Sequence, residues 1–305
     1  MLAGRQHAGV GAFFVSMTLE KPSPCKVNLL LNILGRRADG FHELETVMHP
    51  VDMNDQLRFQ RGGSGVQLTC DEPALPIDST NLVHRAATAF LAAARIPDGV
   101  QIHLEKKIPM AAGLGGGSGN AATTLLGLNE LFSQPLSPPQ LHEIAASLGS
   151  DIPFFLQTKP ALATGRGERI APLGFFPALR GHWFLLIHPG FGIATAWAYQ
   201  QLAHFPSALN GQPGRAQKLI ALLQAGDLAA ASAAFYNSLE APALGKYPVL
   251  ALIQEFLRAH GAVATLMSGS GSTTFALTQS QAAAAELAEQ LQAKFGVCWT
   301  ALAPV

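Results

Sequence analysis

Five glycines crowd the seven positions from Gly113 to Gly119, within the run Pro109, Met110, Ala111, Ala112, Gly113, Leu114, Gly115, Gly116, Gly117, Ser118 and Gly119. After Asn120 comes AATTLLGLNELF, a helix-forming stretch. Amides unshielded by Cβ atoms, beside the free first amides and positive dipole end of a helix, attract an anion. The chemistry this allows is the binding of a phosphate chain, with a nucleoside triphosphate the natural ligand. A plain glycine-rich turn is the alternative, although turns seldom use so many glycines.

The spacing excludes familiar phosphate loops. A Walker A loop needs Gly, Lys and then Ser or Thr, whereas Gly117 is followed by Ser118 and Gly119. Counted from Gly113 or Gly115, the third glycine of a dinucleotide fingerprint falls on Ser118 or Asn120. No H-R-D or D-F-G tripeptide of the protein kinases occurs.

Other residues could complete a reaction. Asp151 stands before Ile152, Pro153, Phe154 and Phe155, where desolvation by bulky neighbours would favour proton acceptance; it could equally cap a helix. Lys26 lies at the mouth of an apolar strand, a position that wants a partner for the ammonium or lets the side chain snorkel. Asn28, two residues on, shares its strand face. Phe41 and His42 follow in a loop and suit a flat ring with a polar edge, unless Phe41 folds onto the core. Gly269, Ser270 and Gly271 form a second backbone concavity, and a hairpin turn in either case.

These residues need elements to hold them. At 305 residues and 49% hydrophobic, the chain can fill two cores. Zero formal net charge and 13% charged residues supply no global field for nucleic acid or an acidic membrane. Cys25, Cys70 and Cys298 show neither disulfide density nor zinc spacing, which points to a reducing compartment. No apolar run approaches the roughly 18 residues of a membrane helix. Residues 1–16 faintly imitate a signal peptide, but Gly9 and Gly11 break the apolar part and Met17 precedes the patterned sequence. They read as a disordered extension or an over-long start.

Residues 26–34 predict a strand ended by the turn Arg36 to Gly40. Residues 66–70 and 100–105 alternate as half-buried antiparallel strands. Asp78, Ser79 and Thr80 cap a predicted helix over 81–95 that buries Leu82, Ala86, Ala89 and Phe90. Ser137 and Pro138 open another, ending near Gly149. Beyond Pro177 the order is strand (183–188), helices to about 260, strands (263–267 and 273–277), helix (281–295) and strand (297–302). That is a split βαβ sandwich of α+β class.

The glycine run resembles the second motif of the GHMP kinases, the family of galactokinase, homoserine kinase, mevalonate kinase and phosphomevalonate kinase. Pro109, Gly113, Leu114, Gly115, Gly117 and Ser118 fill its P-x-x-x-G-L-G-x-G-S. PSPCKVNLLLNI and MSGSGSTTFAL (267–277) stand where that family keeps its other motifs, and the resemblance runs from about Lys21 onward. Pro24-x-Lys26-x-Asn28-Leu29, the loop from Arg37 to His42 and the segment from Gly149 to Phe155 are similar to one branch in particular. Its acceptor is a cytidine-diphosphate-linked methylerythritol, on the non-mevalonate route to isoprenoid precursors.

The resemblance implies a two-domain α+β GHMP kinase fold. Residues 17–177 would form an ATP-binding domain like the second domain of ribosomal protein S5, and 178–305 a ferredoxin-like split βαβ domain. It implies ATP as phosphoryl donor with Mg2+ carried by phosphates and waters, so no dedicated metal site. By the same resemblance Asp151 is the general base for the 2-hydroxyl and Lys26 the second catalytic residue. The run 109–119, with Asn81 and Lys106 or Lys107, binds ATP. Asn28 holds the erythritol part, Phe41 stacks on the cytosine, His42 bonds its edge, and Gly269, Ser270 and Gly271 lie beside the substrate. Partners are small-molecule substrates, with no nucleic acid and no membrane, for a cytoplasmic monomer or homodimer. Homoserine or mevalonate as acceptor, or a nucleotide-binding module without catalysis, are the other readings. Gly119 stands where this branch commonly has Ser or Ala, so a side chain is expected to be missing near the phosphates.

Overall fold

The computed structural model describes residues 18–209, 212–296 and 298–305; the stretch 1–16 and the first residue of the last predicted strand, Val297, lie outside them. Strand β1 (Thr18–Arg36) and β2 (His42–Arg61) form one long antiparallel pair, from Thr18 opposite Gln60 to Arg36 opposite His42. β1 exceeds the predicted strand over 26–34, β2 falls where no strand was expected, and His42 opens β2 rather than lying in the loop. Pro22 and Pro24 are tolerated because the second edge of β1 is paired only at Leu30 and Leu31.

Strands β3 (Val66–Cys70) and β4 (Val100–Glu105) keep the expected bounds but run parallel to each other, joined through α1 (Leu82–Ala93). The expectation of an antiparallel pair is corrected here: alternation reports which face is buried and carries no information on a neighbour's direction. Asn81, not the Asp78–Thr80 turn, caps α1, its side chain accepting from the Val83 amide at 2.8 Å. The buried face is Val83, Ala86, Ala87, Phe90 and Leu91, rotated from the expected one because Leu82 and Ala89 are only half-buried.

Helix α2 (Gly116–Leu131) begins inside the glycine run and packs, with α1 and α3 (Pro138–Leu148), on one face of the sheet. A 3-10 turn (Ile152–Leu156) leads to β5 (Ala161–Gly165) and β6 (Arg169–Pro172), a hairpin the sequence did not announce. Strand β2 is long enough to pair with β4 near one end and β5 near the other.

The second half contains β7 (Trp183–His188), α4 (Thr195–Gln201), α5 (Arg215–Ala225), α6 (Leu228–Ala233), β8 (Tyr236–Asn237) and α7 (Glu240–Lys246). It continues with α8 (Pro248–Ala259), β9 (Ala264–Met267), β10 (Thr274–Thr278), α9 (Gln281–Phe295) and β11 (Trp299–Pro304). Its sheet, in order β11-β7-β10-β9, is antiparallel throughout, as the split βαβ pattern requires. Leu185, Ile187 and Ala276 face α8 and α9. The alternate residues Phe184, Leu186, Phe275 and Leu277 pack against Cys25, Val27 and Leu29 of β1. The two α+β halves are therefore joined through β1, to which β8 also adds in parallel at Leu30 and Leu31. No described helix is long and apolar enough to cross a membrane.

Candidate active site

A single cleft of about 1160 Å³ gathers residues from both halves, including Lys26, Asn28, Phe41, His42, Asp151, Gly269, Ser270 and the stretch from Pro109 to Ser118. Its floor is β1. Lys26 and Asn28 project to one side of that strand, next to a register shift between Asn28 and Leu30. The Lys26 ammonium is buried and donates to Asn28 Oδ1 at 2.6 Å and to the Gly113 carbonyl at 2.9 Å. Asp151 Oδ2 stands 3.8 Å from the same nitrogen. Burial holds the Lys26 pKa below the ordinary lysine value, and the Asp151 carboxylate opposes that fall.

Asp151 follows Gly149, which ends α3, and makes no capping bond to the 3-10 turn it precedes. Its role as a helix cap is thereby removed. The expected desolvation is also corrected: Phe154 and Phe155 turn into the core, whereas the Asp151 side chain is 42% exposed and opens onto the cleft. Asn28 is buried and donates from Nδ2 to Thr46 Oγ1 at 2.8 Å, so its amide orientation is fixed from both ends.

The glycine run divides into two functions. Gly115 adopts φ +70° as the N-cap of α2, which has no side-chain cap, and Gly116, Gly117 and Ser118 follow as its first helical residues, all lining the cleft. Those first amides lack intrahelical acceptors, so an anion is their natural partner. Gly113, at φ +78°, is needed for a different approach, since a Cβ there would collide with the Ser268 carbonyl. Ser268 Oγ donates to the Gly113 carbonyl at 3.0 Å and the Thr273 amide to the Ala112 carbonyl at 3.1 Å. Asn237 Nδ2 then holds the Met267 and Gly269 carbonyls at 2.7 and 2.8 Å. The two glycine loops, one from each half, are thus locked backbone to backbone.

Gly119 and Gly271 lie behind the cleft lining. A Cβ on Gly119 would stand 2.5 Å from the Pro24 carbonyl of β1, and its amide is already donated to Gly115. The side chain expected to be missing near the phosphates is therefore missing against β1 instead. A Cβ on Gly271 would meet Met267 Sδ at 2.6 Å.

Asn81 and Lys106 line the cleft with their side chains engaged. Asn81 caps α1 and donates to the Pro76 carbonyl at 2.6 Å. The Lys106 ammonium pairs with the buried Asp55 carboxylate, which also accepts from the Lys107 and Ile108 amides and Asn120 Nδ2. That network props the strand end leading into the glycine run and leaves Lys106 electrically compensated.

At the far end, Phe41 is 51% exposed and so is not folded onto the core. His42 faces Tyr199 of α4 with ring centroids 5.1 Å apart. Burial and the nearby Arg36 charge hold His42 below the ordinary histidine pKa, so it is a neutral donor and acceptor at neutral pH. Burial and the Asp151 charge push the Tyr199 phenol up. Sequence reading missed Tyr199 and Arg166, both in the lining. Nothing local marks a tyrosine in a short helix, whereas Gly165-Arg166-Gly167 was a visible turn signal.

Family models match both halves: GHMP kinases N terminal domain over residues 81–159 and GHMP kinases C terminal over 219–297. A 4-diphosphocytidyl-2-C-methyl-D-erythritol kinase of Geobacter sulfurreducens is 39% identical, covering 89% of this chain and 94% of that protein. One from Synechococcus sp. is 41% identical, covering 87% of each. A solved 4-(cytidine 5'-diphospho)-2C-methyl-D-erythritol kinase superposes with a TM-score of 0.78 at 36% identity, over 94% of this chain and all of that one. Homoserine kinase from Cytophaga hutchinsonii, at 20% identity and a TM-score of 0.74, shares the fold.

Proposed function

The chain belongs to the GHMP kinases, and on that premise we propose that it transfers the γ-phosphoryl group of ATP to the 2-hydroxyl of 4-diphosphocytidyl-2-C-methyl-D-erythritol. The products are the 2-phosphate and ADP, a step toward isoprenoid precursors. The observation that carries this reading is one cleft with three stations in order: an uncapped helix start, the Lys26–Asp151 pair, and the Phe41–His42–Tyr199 group.

Asp151 takes the hydroxyl proton, its half-exposed carboxylate being open to substrate. A 3.8 Å gap to Lys26 lets one oxygen lie within about 2.8 Å of both groups. Two of the three Lys26 protons are committed to Asn28 and Gly113, which aims the third toward that oxygen. The amides of Gly116, Gly117 and Ser118 receive phosphate oxygens as charge shifts toward ADP. Positioning and electrostatics supply most of the rate in such a transfer. Magnesium bound to the ATP phosphates would supply charge neutralisation there. The Ser118 hydroxyl, at the start of α2 where the phosphates would bind, would be an oxygen donor to it from the lining.

Phe41 and Tyr199 present ring faces to the cytosine, and neutral His42 bonds its edge. Asn28 contacts the erythritol part from β1. The unpaired cysteines support a reducing, cytoplasmic setting.

An assay of ADP release with 4-diphosphocytidyl-2-C-methyl-D-erythritol, homoserine and mevalonate tests the reading. Turnover with the cytidylyl alcohol alone is expected. Turnover with either other acceptor and none with the cytidylyl alcohol would overturn it.

A further inference from the structure

Between the base end of the cleft and the Lys26–Asp151 pair stands a cation to which the mechanism above assigns no task. Arg166 sits at the tip of the β5–β6 hairpin between Gly165 and Gly167, both left-handed at φ +76° and +106°. Its amide donates to Glu168 Oε2 at 2.7 Å, which ties the turn down. The backbone end of this turn lies beside the reacting carboxylate, since a Cβ on Gly167 would be 3.9 Å from Asp151 Oδ1. The guanidinium end lies over the base platform, its carbon 4.7 Å from the Phe41 ring centroid. One residue therefore spans the interval between the proposed nucleobase and the proposed phosphoryl acceptor.

The guanidinium is poorly satisfied where it is. Glu168 is 4.0 Å from Nε, Asp39 feels its charge from farther away, and no side-chain hydrogen bond from Arg166 is present among the described residues. Stacking on a ring leaves the edge donors of a guanidinium free, and their planar fork matches phosphate oxygens. The other cations of the lining are differently disposed. Lys26 and Lys106 are committed, and Arg36 acts on His42 at the base end.

We propose that Arg166 is a specificity-determining residue that donates to the diphosphate linking the nucleoside to the alcohol. The proposal rests on the cytidylyl reading of the acceptor. In that molecule the diphosphate lies between base and hydroxyl, the same interval Arg166 spans in the cleft. An acceptor without a diphosphate leaves the guanidinium unsatisfied, so the residue selects as well as binds.

Calorimetric titration of cytidine, CMP and CDP into the full chain without ATP, for wild type, Arg166→Met and Arg166→Lys, tests it. Arg166→Met is expected to weaken CDP about tenfold while leaving cytidine within about twofold, with partial recovery in Arg166→Lys. The KM for ATP should stay at the wild-type value. Equal losses for cytidine and CDP, no loss for either, or a raised KM for ATP with CDP affinity intact would each overturn the assignment. Wild type that turned over the cytidylyl alcohol yet bound CDP no better than cytidine would overturn it alone. Wild type that bound neither would bring down the cytidylyl reading and this proposal with it.

Discussion

Lys26 and Asp151 meet at 3.8 Å with opposite exposures: the ammonium is sealed inside β1, while the carboxylate beyond α3 remains open to the cleft. The buried partner cannot reorient, because Asn28 and the Gly113 carbonyl hold it. The open partner can meet a substrate. This division supports the roles proposed for them, Asp151 as the proton acceptor and Lys26 as the fixed charge beside it.

Asp151→Asn should lower kcat about 10²- to 10⁴-fold, with the KM for ATP little changed. Wild-type turnover in this variant would remove Asp151 as the base. The asparagine keeps the shape of the side chain, so the loss would report chemistry and not packing.

The same variant should change the pH profile. Burial depresses the Lys26 pKa and the Asp151 charge works against that depression, so neutralising residue 151 lets Lys26 lose its proton at a lower pH. The alkaline limb of residual kcat/KM should move downward in pH. A limb that stayed in place would show that Lys26 ionisation does not govern it.

His42→Ala should raise the KM for the cytidylyl substrate far more than that for ATP. The imidazole lies at the Phe41–Tyr199 end of the cleft, away from the uncapped start of α2. Equal rises in both constants would take His42 out of base recognition.

Gly119→Ala sets two effects against each other. Alanine favours a helix by about 1 kcal/mol over glycine, whereas forcing a group into a filled space costs typically about 1–3 kcal/mol. Here the obstacle is the Pro24 carbonyl of β1, a backbone atom that cannot swing aside, so the melting temperature should fall. A higher melting temperature would mean that α2 and β1 separate at little cost.

His49 should make the fold acid-sensitive. It is buried among Phe175, Phe176 and Phe184, and burial lowers its pKa from 6.5 to about 4. As pH falls through 6.5 the unfolded chain gains a proton that the folded chain refuses until about 4, so stability is lost over that window. The full loss amounts to about 3 kcal/mol. Urea denaturation near neutral pH and in mild acid should show a smaller difference for His49→Phe than for wild type; identical differences would exonerate this histidine.

What could be read from the chain alone was whatever its local periodicity and composition encode. Residues 183–188 and 281–295 form β7 and α9 with the bounds their patterns predict, and the helix read directly after the glycine run is α2, which begins within that run. Lys26 and Asn28 were paired by strand geometry. Pattern failed where neighbours decide. In alanine-rich α1, small side chains left the buried face ambiguous by one position, and in β3 alternation could not state the direction of β4. Gly119 belonged to the cradle by spacing, yet helical rotation turns it onto β1 and away from the cleft. Only tertiary packing brought Asp151 to Lys26, Tyr199 to His42 and Arg166 to Phe41. Those distances depend on how separate elements dock, and docking is set by the summed fit of side chains far from the site.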